Sequence, residues 1–180
     1  MFEPAIEALP WEVQAAIDDV LYRQQVAYLF ANSRFYRRKL GDAGFDSPEA
    51  VGGLDRIASL PTTEKDEIRE TRHDDEPVGT HLCVPLDQTT RIFSTSGTTG
   101  TPSYIPLTAT DVANWTRISA RTYSTGGTRR GDGLVSTYGA GPFVAGITFD
   151  AFNLMGVTHI PIGGGNTERL MTTVRLLKPD

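Results

Sequence analysis

STSGTTGTP, residues 94–102, carries hydroxyls at Ser94, Thr95, Ser96, Thr98, Thr99 and Thr101, glycines at 97 and 100, and a closing Pro102. It holds no charged side chain. A tight turn between two strands rarely needs so long a polar run. Gly97 and Gly100 permit positive φ and let main-chain N–H groups come close to a ligand. Successive N–H groups in such a turn form a concavity for anions, and the hydroxyls can follow several phosphate oxygens. Pro102 fixes the exit and disfavours helix at Thr101. The stretch therefore reads as a phosphate-gripping loop; the plainer alternative is a solvated Ser/Thr/Gly turn. It is not a Walker P-loop, because two residues rather than four separate the glycines and no Gly-Lys-Ser/Thr follows. Nor does it match a GxGxxG dinucleotide fingerprint.

The flanks set the loop in an alternating pattern. RIFS (91–94) reads as a strand entering it and SYIPL (103–107) as a strand leaving it. Thr108 and Asp111 have capping-box spacing for a helix with Val112, Trp115, Ile118 and Thr122 on one face, stopped by Gly126 and Gly127. GLVSTY (133–138) reads as a strand, residues 143–155 as a mostly buried helix, and VTHIPI (157–162) as another strand. Asn166 caps a last helix with Leu170, Val174 and Leu177 on one side. GGGNTER (163–169) reads equally as a capped strand-to-helix connection or as a second phosphate loop.

Upstream, residues 11–40 read as one helix with an apolar stripe of Val13, Ile17, Val20, Leu21 and Tyr28. Thr63 stands three residues before Asp66 and opens a short charged helix in which Lys65 is solvated. The expected fold is α/β: a mainly helical segment over 1–85, then a partial strand–helix alternating sheet over 86–180.

Composition narrows the function. The net charge is −5, from 17 basic and 22 acidic residues, with no polybasic patch, which argues against nucleic acid and membrane surfaces as partners. Cys83 is the single cysteine, so no internal disulfide or thiol zinc cluster can form. The N-terminal stretch MFEPAIEALPWEVQ lacks a signal pattern. The apolar window 143–157 is interrupted by Asp150 and Asn153 and is too short for a bilayer. A cytoplasmic setting is expected. His73, His81 and His159 are scattered without a paired carboxylate or serine elbow, so no catalytic residue and no metal ligand is assigned.

The segments SRFYRRKLGDAGFD (33–46), LPTTEKDEIR (60–69), VPLDQTTRIFSTSGTTGTP (84–102), YGAGPFVAG (138–146) and IPIGGGNTERL (160–170) together resemble phenylacetate–CoA ligases, a family of the adenylate-forming (AMP-binding) enzymes, in that family's order and approximate spacing. The resemblance implies the large-domain fold of those enzymes. It also implies ATP-dependent conversion of a carboxylic acid, an aromatic one in this family, into an acyl-adenylate, followed by transfer to CoA. ATP, Mg²⁺ and CoA are the implied cofactors. Ser94, Thr95, Ser96, Gly97, Thr98, Thr99, Gly100 and Thr101 match the family's phosphate loop, and Tyr138, Gly139, Gly141 and Phe143 match its acyl-pocket segment.

One departure stands out. The family commonly has lysine where this sequence has Thr101, a loss on the order of 1–3 kcal/mol in phosphate binding. The resemblance further implies an N-terminal portion, with the adenine loop, the acidic Mg²⁺ ligand, the ribose-binding aspartate and the mobile domain lying beyond Asp180. The open sheet edge of such a portion would favour self-association. Two alternatives stay open: adenylation with another acid or acceptor, and a non-catalytic α/β fragment that keeps the nucleotide loop.

Overall fold

The computed structural model describes residues 1–95, 102–139 and 145–180. They form a mixed α/β fold with helices α1 (Pro4–Glu7), α2 (Trp11–Asn32), α3 (Arg34–Asp42), α4 (Pro48–Val51), α5 (Lys65–Arg69), α6 (Ala109–Thr125), α7 (Ala145–Met155) and α8 (Thr167–Leu177). The strands are β1 (Arg91–Ser94), β2 (Tyr104–Leu107), β3 (Gly133–Ser136) and β4 (Thr158–Pro161). Two compact units share these elements. Of the described residues, 9–90 and 102–106 make one, and 1–8, 91–95 and 107–180 the other.

In the first unit, the helix expected over residues 11–40 is two helices. Ser33 leaves helical space (φ −111, ψ 115) and is fully buried. Its Oγ accepts a hydrogen bond from the Tyr36 N–H at 3.2 Å and donates to the His81 carbonyl at 3.2 Å. A serine so placed satisfies an orphan donor of the next helix, which makes the break stable rather than frayed.

The apolar stripe is also corrected. Val26, Leu40, Phe45 and Val51 form the buried cluster, with Tyr22, Phe30 and Leu60 packed on it. Tyr22, Val26 and Phe30 are four residues apart, so this face of α2 points inward. Val13, Ile17, Val20, Leu21 and Tyr28 are each more than 40% exposed. Both series have helical spacing, and periodicity alone does not choose between them. At α5 the cap is shifted by one residue from the Thr63–Asp66 expectation. The Glu67 carboxylate reaches back to the Glu64 N–H at 2.6 Å.

The second unit is built around α6 and α7. Thr108 and Asp111 close the expected capping box, with Asp111 N–H to Thr108 Oγ1 at 3.2 Å and Thr108 N–H to Asp111 Oδ2 at 2.9 Å. Ala120, Ala151, Phe152, Met155 and Val157 are buried together, with Phe2, Tyr123, Leu134 and Phe149 packed against them. Ile118, expected on the inner face of α6, is 58% exposed, and Thr116, Ala120 and Ser124 are buried instead. Small side chains on that face suit close approach to α7. On the same helix, Arg117 pairs with Glu3 at 2.6 Å, which holds the α1 segment down.

β3 and β4 run parallel, joined through α7, in the register Gly133↔Thr158, Leu134↔His159, Val135↔Ile160 and Ser136↔Pro161. This is the crossover arrangement that a parallel pair requires. Gly156 ends α7 with φ +71, a conformation that favours glycine, and there the chain reverses into β4. His159 on β4 lies between the rings of Phe149 (centroids 4.8 Å) and Phe152 (5.0 Å), and its Nε2 is 2.7 Å from Ser136 Oγ. No helix among the described residues is long and apolar enough to cross a membrane.

Two consequences are measurable. Ser33→Ala removes a helix cap and strands the His81 carbonyl, and is expected to cost about 1–3 kcal/mol. Urea unfolding should show a lower midpoint with an unchanged slope. Burial also pushes the His81 and His159 imidazoles below their ordinary value. The unfolded chain then binds more protons than the folded one as pH drops through about 6.5, so stability is complete above that pH and is lost progressively below it. The melting temperature should fall from pH 7.5 to 5.5, and His159→Gln should flatten that fall while the His81 share remains. An identical slope in the variant would remove His159 from this account.

Candidate functional site

β1 delivers the chain to the glycine–hydroxyl loop, and its position is set by alternate side chains. Phe93 is buried with Leu107 and Ile147, packed by Val112 and Trp115, and its ring meets Trp115 edge-on at 5.9 Å. Two residues earlier, on the same strand face, Arg91 Nη1 pairs with Asp150 Oδ2 of α7. Ser94 and Thr95 follow from this anchored strand. Ser96, Gly97, Thr98, Thr99, Gly100 and Thr101 lie outside the described residues.

The loop's exit is held by two arginines of the α5 segment. Arg69 donates from Nε to the Oγ of buried Ser103 at 3.1 Å and from Nη1 to Asp66 Oδ1 at 2.8 Å. Its Nη2 is buried without a hydrogen-bond partner. Arg72 donates from Nη1 to the Pro102 carbonyl at 2.7 Å, and its guanidinium carbon stands 6.0 Å from the Tyr104 ring centroid. α5 is itself tied to α3 through Lys39 Nζ and Glu67 Oε1. The hydrogen bond from that ammonium, followed by the one from the Glu64 amide, holds the Glu67 carboxyl below its usual range. In sequence this stretch reads as a short charged helix with Lys65 solvated, inside the family-like segment 60–69, and no part is assigned to its arginines. The Arg72 contact spans 30 residues of chain, and nothing local signals it.

The second candidate segment follows β3. Tyr138 is 55% exposed, so it is not a core aromatic, and Gly139 stands beside it. Gly141 and Phe143 lie outside the described residues. Because β3 and β4 are parallel, their carboxyl ends emerge together, and the Ile162 N–H donates to the Ser136 carbonyl at 2.9 Å. Open α/β sheets bind ligands at this end. In GGGNTER, Gly163 and Gly165 both take φ +79, and the Asn166 side chain accepts from the Arg169 N–H at 2.8 Å. That is the capped connection, one of the two readings of this segment.

One unit thus carries two guanidinium groups bonded to Pro102 and Ser103, and the other carries an exposed tyrosine after a strand end. Of the three histidines, His159 is occupied by Ser136 and two phenylalanine rings. Among the described residues no group of three His, Cys, Asp or Glu side chains could hold a metal ion.

No protein-family model matches the chain. Curated proteins do. The sequence is 33% identical to the phenylacetate-coenzyme A ligase of Thermus thermophilus over 181 aligned positions, all of this chain and 39% of that protein. It is 30% identical to the Pseudomonas putida phenylacetate-coenzyme A ligase over all of this chain and 42% of that protein. For the Escherichia coli phenylacetate-coenzyme A ligase the identity is 34%, over 85% of this chain and 34% of the relative. Among solved structures, 2-hydroxyisobutyryl-CoA ligase in complex with 2-HIB-AMP and CoA, in its thioesterification state, superimposes with a TM-score of 0.89 at 25% identity. That match covers 98% of this chain and 38% of the ligase. The chain thus spans about two fifths of the length of the proteins it matches. Along its whole length the chain is similar to phenylacetate-coenzyme A ligases, and it has the corresponding part of the adenylate-forming CoA ligase fold.

Proposed function

We propose that this chain is the phosphate- and acid-gripping part of an ATP-dependent acid–CoA ligase acting on an aromatic carboxylic acid. The observation that carries this reading is the STSGTTGTP loop at the end of the anchored strand β1, in a chain with 33% identity along its whole length to a phenylacetate-coenzyme A ligase. In the proposed reaction a carboxylate oxygen attacks the α-phosphorus of ATP. The bond from that phosphorus to the bridging oxygen breaks, and pyrophosphate leaves. The sulfur of CoA then attacks the acyl carbon and AMP departs.

The residues have distinct parts in this scheme. Ser94, Thr95, Ser96, Gly97, Thr98, Thr99, Gly100 and Thr101 hold the β- and γ-phosphates, so that the leaving pyrophosphate is gripped as its charge develops. Tyr138, Gly139, Gly141 and Phe143 line the acid, where an exposed tyrosine after β3 suits an aryl ring. In this reading residues 1–85 are a mainly helical segment and 86–180 the nucleotide-handling α/β part. Mg²⁺ would neutralise phosphate charge, but the described residues form no dedicated site for it, and no step is assigned to it. The lone Cys83 and the supply of ATP and CoA suit a cytoplasmic setting.

Thr98→Ala and Thr99→Ala should each weaken ATP binding about three- to ten-fold, the scale of one lost hydrogen bond, as measured by calorimetry. Pyrophosphate exchange stimulated by phenylacetate or another aryl acid tests the acid class. If both variants bound ATP as wild type does, the loop would not be a phosphate site. Exchange by a protein that then leaves added CoA unacylated would move the acceptor elsewhere.

A further inference from the structure

We propose that a cavity of about 290 Å³ beside the break between α2 and α3 binds a small primary ammonium compound, with the Glu76 carboxylate as its anchor. The site has no part in the ligase reading and does not rest on it. Its walls all come from residues 32–86 of one unit, and every one of them is a described residue. The volume is at the small end of the range for ligand pockets.

The ligand class follows from what the walls offer. The Glu76 side chain is 27% exposed, so it is reached from solvent, and its Oε1 pairs with the Arg34 guanidinium. Its other oxygen, Oε2, is buried and has no hydrogen-bond partner. His73 Nε2 stands 3.4 Å from that oxygen without completing a hydrogen bond. A buried acceptor is seldom left unpaired, and a carboxylate oxygen is answered best by a charged donor. Asp75 adds a second carboxylate to the lining, and Arg34 balances one of the two, so the cavity keeps a negative charge. Asn32 spends its amide nitrogen on the Tyr28 carbonyl at 2.9 Å, which leaves its oxygen as an acceptor. An ammonium group brings three donors and no acceptor. Val78, Leu82, Val84 and Leu86 supply apolar wall for a short hydrocarbon body behind that group.

The walls are fixed before a ligand arrives. The buried cap at Ser33 sets the corner where Asn32 and Arg34 stand. The stretch around Glu76 is tied down through the main chain. The Glu76 N–H donates to the His73 carbonyl at 2.9 Å, and the Gly79 N–H to the Glu76 carbonyl at 3.0 Å. The Phe35 N–H donates to the Thr80 carbonyl at 3.2 Å, and the Thr80 N–H to Thr71 Oγ1 at 3.1 Å. Gly79 takes φ +112, and a Cβ there would meet Thr71 Oγ1 at 2.6 Å, so this turn requires glycine. Walls held in this way lower the entropy lost on binding.

The test is an NMR titration of the 180-residue chain, at moderate salt, with 3-methylbutylamine hydrochloride and separately with uncharged 3-methylbutan-1-ol. The amine should bind saturably, shift the amides of Val78, Gly79 and Thr80, and bind about ten-fold tighter than the alcohol, the scale of a hydrogen bond to a charged group. Glu76→Gln, which keeps the shape and removes the charge, should weaken the amine about ten-fold and leave the alcohol unchanged. Glu49→Gln, a carboxylate lost from α4 outside the cavity, should bind the amine as wild type does. Should Glu76→Gln fail to fold, the comparison of amine with alcohol on the wild-type chain decides alone. Equal binding of the two probes, wild-type affinity in Glu76→Gln, an equal loss in Glu49→Gln, or no saturable binding of the amine overturns the inference.

Discussion

Burial of α7 is the constraint on which its unit depends. Ile147 near its start closes the cluster of Phe93 and Leu107, while Ala151, Phe152 and Met155 close the cluster with Ala120 and Val157. One helix therefore fixes two things that matter separately. It seats β1, from which the glycine–hydroxyl loop departs, and it bridges β3 to β4, from which the Tyr138 segment departs. The surface pair between Arg91 and Asp150 adds orientation to the first contact but little energy, since both partners are about a third exposed. Apolar burial does the holding, and the polar contacts set the angles.

A loop that grips phosphate faces a conflict between approach and charge. Glycine and small hydroxyl residues let the backbone close on its ligand, but they contribute no net positive charge. Arg69 and Arg72 hold the chain where it leaves this stretch, through hydrogen bonds to Ser103 and Pro102 and a ring contact with Tyr104. The anchoring has a cost, because the buried Nη2 of Arg69 has no hydrogen-bond partner.

Much of the α/β pattern was legible in the sequence, because strand and helix periods differ and caps are local. The Thr108–Asp111 box, the Asn166 cap and the β3–α7–β4 alternation all depend on residues within a few positions of one another. Legibility failed where a choice depended on distant partners. Ser33 splits a helix because His81, 48 residues away, receives its hydroxyl. α2 carries two apolar series of equal spacing, and only the packing of Leu40, Phe45 and Val51 decides which one is buried. Ile118 faces outward because α7 approaches closely enough to require alanine and serine in its place. For the candidate site, the glycine–hydroxyl stretch stood out by composition, whereas the arginines that hold its exit did not, since their partners lie 34 and 30 residues away.

α2 carries an exposed apolar series beside its buried one. Val13, Ile17, Val20 and Leu21 present a continuous apolar strip, larger in kind than the scattered apolar residues ordinary on a surface. In α8, too, Val174, Leu176 and Leu177 are exposed. A chain that matches about two fifths of its relatives buries its own clusters, yet it keeps two helices with an outward apolar side. α2 nevertheless buries Val26, and α8 keeps its Asn166 cap. In both helices the exposed apolar side coexists with complete local structure, so helix formation here does not depend on burying every apolar residue.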